Sequence, residues 1–136
     1  MAEVDKSEKV TINVGIVDLG QIDLLVNEGF YANRTDFIRT AIRRQLESRS
    51  TAVNGMIARR ALLLGTQYYS RRDLEELRDA GQVVDLRVLG LATIAHDVSA
   101  KLALATIASV EVLGVFRASR EVKGALASRI VHRTSP

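Results

Sequence analysis

The chain has 136 residues, 47% of them hydrophobic, no cysteine and a formal net charge of +3. That much apolar material is enough for one domain or two very small ones, and it excludes a disordered tail. Without cysteine there are no disulfides, no thiolate metal sites and no cysteine nucleophile, which suits a reducing cytosol.

The charge is uneven: residues 1–50 hold 7 Lys+Arg against 8 Asp+Glu, and residues 51–136 hold 12 against 8. So small an excess fits a nucleic-acid partner without requiring one, because phosphate affinity follows where cations cluster rather than their total. The first residues are polar and acidic, with no apolar stretch resembling a signal peptide. No run approaches the roughly 18 apolar residues of a membrane span. The expectation is a cytoplasmic protein without membrane contact.

After a polar tail over residues 1–7, Lys9-Val10-Thr11-Ile12-Asn13-Val14 alternates polar and β-branched residues, the period of a half-buried strand. Val10, Ile12 and Val14 form one face; Lys9, Thr11 and Asn13 form the other. Ile22, Leu25 and Val26 then recur at helical spacing over residues 17–28, and Gly29 stands where a left-handed residue ends a helix. Asn33 with Asp36 three positions on is a relative of the capping box, starting a second helix at Arg34 that runs to about Glu47. Its apolar face is Phe37, Ile38, Ala41, Ile42 and Leu46, with Arg39, Arg43, Arg44 and Arg49 elsewhere. Small and polar residues from Ser48 to Gly55 read as a linker, assigned to residues 50–57.

The remainder, residues 58–131, contains an internal repeat. Leu62-Leu63-Leu64-Gly65, Arg87-Val88-Leu89-Gly90 and Glu111-Val112-Leu113-Gly114 are apolar runs closed by glycine, the glycines 25 and then 24 residues apart. Helix-like stretches follow at residues 71–80, 99–108 and 120–128, the first with Ser70 and Asp73 as a capping box. A strand-turn-helix unit of this period predicts a miniature β/α solenoid. The competing reading is three chance matches in an ordinary α+β domain. Residues 132–136 are a tail.

A lone strand with two helices cannot stand by itself, since its backbone edge is open and its core too small. A twofold dimer solves this: the strand pairs antiparallel with its copy, forming a two-stranded ribbon over four helices. Such a ribbon fits the major groove, where lysine donates to guanine, asparagine pairs with adenine and threonine contacts an acceptor or the thymine methyl. The start of the second helix, with its backbone N–H groups, the Thr35 hydroxyl and the Arg34 guanidinium, suits a phosphate.

Residues 8–49, and above all KVTINV with GFYANRTDFIRTAIRRQLE, resemble the ribbon-helix-helix regulators of the CopG/Arc/MetJ type. The resemblance implies that Lys9, Thr11 and Asn13 read bases and that Asn33, Arg34 and Thr35 clamp phosphate. It also implies a homodimer on double-stranded DNA, with dimers often side by side on tandem operators. The acidic residues Glu3, Asp5 and Glu8 oppose tight binding unless the tail points away.

Other sites are weaker. His96 and His132 have no accompanying cysteine, so the nickel-responsive branch finds no counterpart, and no metal or cofactor is expected. His96, Asp97 and Ser99 contain the residue types of a hydrolytic triad, but neighbours this close read as helix caps, and no enzyme is predicted. Arg59-Arg60 and Arg71-Arg72 could touch flanking phosphates, although such pairs are usually solvated surface. Tyr68 and Tyr69, at a strand end, could stack on a base but more often pack on the core. Gly65, Gly90 and Gly114 suit tight turns or close stacking.

The sequence thus predicts an α+β chain: a ribbon-helix-helix module followed by a repeat-containing β/α domain that joins dimers into a higher homo-oligomer. The function it supports is a nucleoid-associated bacterial regulator, more a repressor than an activator. The alternatives are an antitoxin and a DNA-organising or filament-forming structural protein.

Overall fold

A computed structural model describes residues 6–131, so the expectations for Glu3, Asp5 and His132 lie outside the described residues. The chain divides into two compact units, with the boundary between Met56 and Ile57.

In the first unit, α1 (Ile16–Asn27) and α2 (Arg34–Ser48) match the two predicted helices to within a residue or so. Gly29 adopts φ +86°, the left-handed conformation in which glycine commonly ends helices. Asn33 accepts a hydrogen bond from the Asp36 backbone N–H at 2.8 Å, while the Asp36 carboxylate accepts from Ala32 N–H at 2.9 Å. Those two contacts fix the start of α2.

Two expectations differ from what is found. The stretch read as a linker is α3 (Ser50–Arg59), a helix whose Val53, Met56 and Ile57 supply apolar side chains at helical spacing. Serine, threonine and one glycine lower helix propensity without forbidding it, and the linker reading gave them too much weight. Second, residues 6–15 form neither helix nor sheet, and the one sheet among the described residues is parallel rather than an antiparallel ribbon. A ribbon shared between two copies has no partner strand inside one chain.

The second unit is a three-stranded parallel sheet, order β1 (Leu63–Tyr69), β2 (Val84–Ile94), β3 (Ile107–Arg117). The helices are α4 (Arg71–Asp79), α5 (Ala100–Thr106) and α6 (Arg120–Leu126), with a closing turn at Ala127–Arg129. Parallel strands need crossover connections, and α4 and α5 supply them. The three helices cover one face of the sheet: Leu74, Leu102, Val122 and Leu126 share one hydrophobic cluster with Leu86, Ile94, Ile107 and Val110. Burying each such side chain contributes roughly 1.5–3 kcal/mol relative to exposure.

Serine caps set the helix starts. Ser70 and Asp73 form a reciprocal capping box, and the Ser99 and Ser119 hydroxyls accept from Leu102 and Val122 backbone N–H groups at 3.1 and 3.2 Å. Asp97, also expected to be a cap, lies instead 3.8 Å from Arg71.

The repeating glycines do not close the strands; they sit inside them. Gly65, Gly90 and Gly114 pair in register across all three strands, with φ of +116°, +136° and +117°. A Cβ at Gly90 would collide with the Gly65 carbonyl oxygen, and one at Gly114 with that of Gly90. This is the close-stacking role rather than the turn.

On the other face, Arg60 forms an ion pair with Glu111, which is 6% exposed. Arg60 is therefore an internal counter-charge, which removes it from the candidate phosphate contacts.

Gly90→Ala should destabilise the protein by at least about 2 kcal/mol through strain and collision. Gly124→Ala, in α6 where an added Cβ meets open space, should be neutral or stabilise by up to about 1 kcal/mol. Urea unfolding of both variants tests the contrast, and equal losses would contradict it.

Candidate nucleic-acid interface

Lys9, Thr11 and Asn13 lie exposed on the stretch 6–15 that leads into α1. The alternate side chains are exposed too: Val10 by 79%, Ile12 by 69% and Val14 by 39%. A run of β-branched residues with both faces in water lacks the half-burial that its alternation suits.

The same deficit runs through the whole unit. Ile22 is its one buried apolar residue among those described, and Ile38, Ile42 and Leu46 form an exposed stripe at helical spacing along α2. Tyr31 and Phe37 meet edge to face at 5.0 Å. Beside them a groove of about 290 Å³ between α1 and α2 is lined by Asp18, Gln21, Ile22, Leu25 and Phe37. Apolar faces of this extent on so small a unit mark a surface that packs on something else.

Asn33, Arg34 and Thr35 come together at the N-terminus of α2, the positive end of the helix dipole. The Arg34 guanidinium is occupied, however. Its Nε and Nη2 donate to the two carboxylate oxygens of Asp23 on α1 at 2.7 and 2.8 Å. This fork-to-fork hydrogen bonding holds the Asp23 carboxyl below its ordinary pKa and raises that of Arg34. The pair ties α2 to α1 in the free chain. Of the donors expected to meet a phosphate here, the Arg34 guanidinium faces Asp23 and the Asp36 backbone N–H is taken by Asn33. Sequence reasoning missed Asp23 because its partner lies 11 residues away, beyond any helical spacing.

The remaining candidates are dispersed. Arg71 pairs with Glu75 at 3.2 Å and Arg72 with Glu76 at 3.3 Å, ordinary surface pairs one helical turn apart. Tyr69 packs against the hydrophobic cluster, and burial pushes its hydroxyl pKa up, while Tyr68 is exposed. Exposed His96 and Asp97 line a shallow cleft with Arg71 and Glu75. Among the described residues no cluster of three or more His, Asp or Glu side chains is placed to hold a metal ion, and no helix is long and apolar enough to cross a membrane.

The model of the ribbon-helix-helix transcriptional regulator family matches residues 5–123. The chain belongs to that family. The match is not confined to the strand and first two helices; it runs through all three strands of the parallel sheet into α6. No characterised protein and no solved structure matches the chain. Membership makes this a DNA-binding transcriptional regulator of a kind that commonly dimerises.

Replacing Arg34 by Met should return the Asp23 carboxyl toward the ordinary range near 3.9. Because the folded-state pKa is lowered, the stabilisation from this pair is present above about pH 4 and is lost as pH falls through the depressed value. NMR titration of Asp23 in both proteins measures it; an unmoved titration would show that Arg34 does not hold the carboxylate in solution.

Proposed function

We propose that the protein is a dimeric repressor whose N-terminal segment reads operator DNA in the major groove. Residues 9–14 of two copies pair as an antiparallel ribbon, with Val10, Ile12 and Val14 packed on the helices and Lys9, Thr11 and Asn13 turned to the base edges. The observation that carries this reading is the first unit's missing core: one buried apolar residue, with apolar side chains exposed along the ribbon segment and along α2. A second copy supplies what that surface lacks.

Asn33 fixes the start of α2, and the helix N-terminus with Thr35 anchors a phosphate. Arg34 either stays with Asp23 as a strut or exchanges that carboxylate for a phosphate when DNA arrives, since both offer the same paired oxygens. Repression follows by occlusion of a promoter, and self-association through the second unit joins dimers and raises avidity on repeated operators.

The packed core of the second unit supports this reading over an antitoxin, whose toxin-binding segment is usually disordered or a single amphipathic helix.

The test is a salt series of binding to the protein's own upstream promoter and to random DNA, comparing wild type with the combined Lys9→Ala, Thr11→Ala, Asn13→Ala variant. The variant should lose roughly 1–3 kcal/mol of promoter preference per good base contact removed, yet keep weak, salt-sensitive binding. Equal binding of both DNAs by both proteins would reduce the ribbon to a dimerisation device.

A further inference from the structure

The two edges of the parallel sheet are treated oppositely. Along the outer edge of β3 the chain returns: Ile130 bridges Val110, and the Val131 backbone N–H donates to the Val110 carbonyl at 2.7 Å. Arg129 Nη1 donates to the carbonyls of Leu104 and Ile107 at 2.7 and 2.8 Å. The beginning of that edge is thereby closed.

Nothing described covers the outer edge of β1. Its sequence, Leu63-Leu64-Gly65-Thr66-Gln67-Tyr68-Tyr69, contains no charge and no proline, the usual devices that keep an edge from pairing. Leu63, Leu64 and Tyr68 are 51%, 68% and 58% exposed. The glycine rung points the same way. At Gly90 and Gly114 the position of a Cβ is filled by the carbonyl of the preceding strand; at Gly65, with similar φ, it meets nothing within 4 Å. The first strand keeps a slot that the other two strands show occupied.

We propose that this slot receives the β1 strand of a second copy, antiparallel and about a twofold axis, making one continuous six-stranded sheet. The proposal deepens the self-association of the second unit and rests on that reading. A second copy fits because twofold pairing lets one open edge satisfy its own copy and closes the sheet, whereas the outer edge of β3 is already taken at its beginning by Ile130 and Val131.

The strand is also complementary to itself when centred on Thr66. Leu64 then stands opposite the partner's Tyr68, Thr66 opposite the partner's Thr66, and small Gly65 opposite the partner's Gln67. Aliphatic-aromatic and threonine-threonine pairs are among those that stabilise neighbouring strands. The other strand-like segment of the chain, residues 9–14, carries Lys9 and is assigned to the ribbon.

The absence of native cysteine makes the test direct. Directly opposed residues of an antiparallel pair lie about 4.5–5.5 Å apart at Cα, within disulfide reach. In the full chain, single cysteines at Leu64, Thr66 and Tyr68 are oxidised mildly, with Leu113→Cys on the exposed sheet face as the comparison. Light scattering follows the mass of wild type and of the Leu64→Lys, Thr66→Lys double variant, with circular dichroism confirming that the variant folds.

The expected result is a covalent dimer from Thr66→Cys and an assembly larger than a dimer that the double variant weakens by roughly tenfold or more through like-charge opposition. Crosslinking in a species no larger than a dimer would support the edge pairing and overturn only the higher assembly. A larger assembly without crosslinks at positions 64, 66 and 68, indifferent to the lysines, would overturn the edge pairing and leave self-association standing. No association beyond a dimer and no crosslink would overturn both. Mass that grows without limit, with no crosslink from Thr66→Cys, would point to head-to-tail addition and overturn the twofold pairing.

Discussion

The second unit depends on a close approach of backbones at one rung of its sheet. Three glycines in register, all at positive φ, let each strand bring a peptide carbonyl to where its neighbour's side chain would otherwise begin. That contact reinforces a register that the burial of one face also demands, since a slip by one residue would exchange the two faces. With the rung fixed, Leu86 and Val110 meet the helices, Arg87 stands beside Glu111, and the unit acquires a repeat of 24 to 25 residues. The helices then need only cap and pack, which three serines and a few leucines accomplish.

The first unit is the opposite case. Its local signals are strong, with a side-chain cap on α2, a left-handed glycine after α1 and a bidentate ion pair between the helices, yet it encloses almost nothing. Local structure and burial have come apart. Helices of 12 and 15 residues are marginal in water without tertiary packing, so a fold defined by such segments calls for packing from outside the unit. The same physics that makes the segment 9–14 unable to form a ladder alone makes it available to a second chain.

What could be read in the sequence follows from the range of the interactions concerned. The helices α1, α2 and α4 were legible because caps and apolar periodicity act within a turn or two: Asn33 with Asp36, Ser70 with Asp73, Gly29 at its φ of +86°. The repeat was legible as spacing, but its meaning was only half visible. Glycine after an apolar run reads equally as a strand end or as a close contact, and only the pairing of Gly65 with Gly90 and of Gly90 with Gly114 decides. The strands accordingly extend well past their glycines. Long-range partners were invisible: Arg60 with Glu111, 51 residues apart, which made an expected phosphate contact an internal counter-charge, and Arg34 with Asp23, an exposed pair between two helices.

Those two arginines bear on how the protein meets DNA. An arginine already facing a carboxylate contributes little to a long-range positive field, so affinity here cannot be read from the excess of 12 basic over 8 acidic residues in residues 51–136. Arg60 is held against a buried glutamate, and drawing it toward a phosphate would break that buried ion pair. Arg34 differs, because its partner Asp23 is solvent-exposed and salt-screened, and a phosphate presents the same pair of oxygens with more charge. The modest net charge is therefore consistent with a regulator whose DNA contacts are few and placed by dimer geometry. On the proposed function, selectivity rests on Lys9, Thr11 and Asn13 along a ribbon, and tightness on how many ribbons are joined.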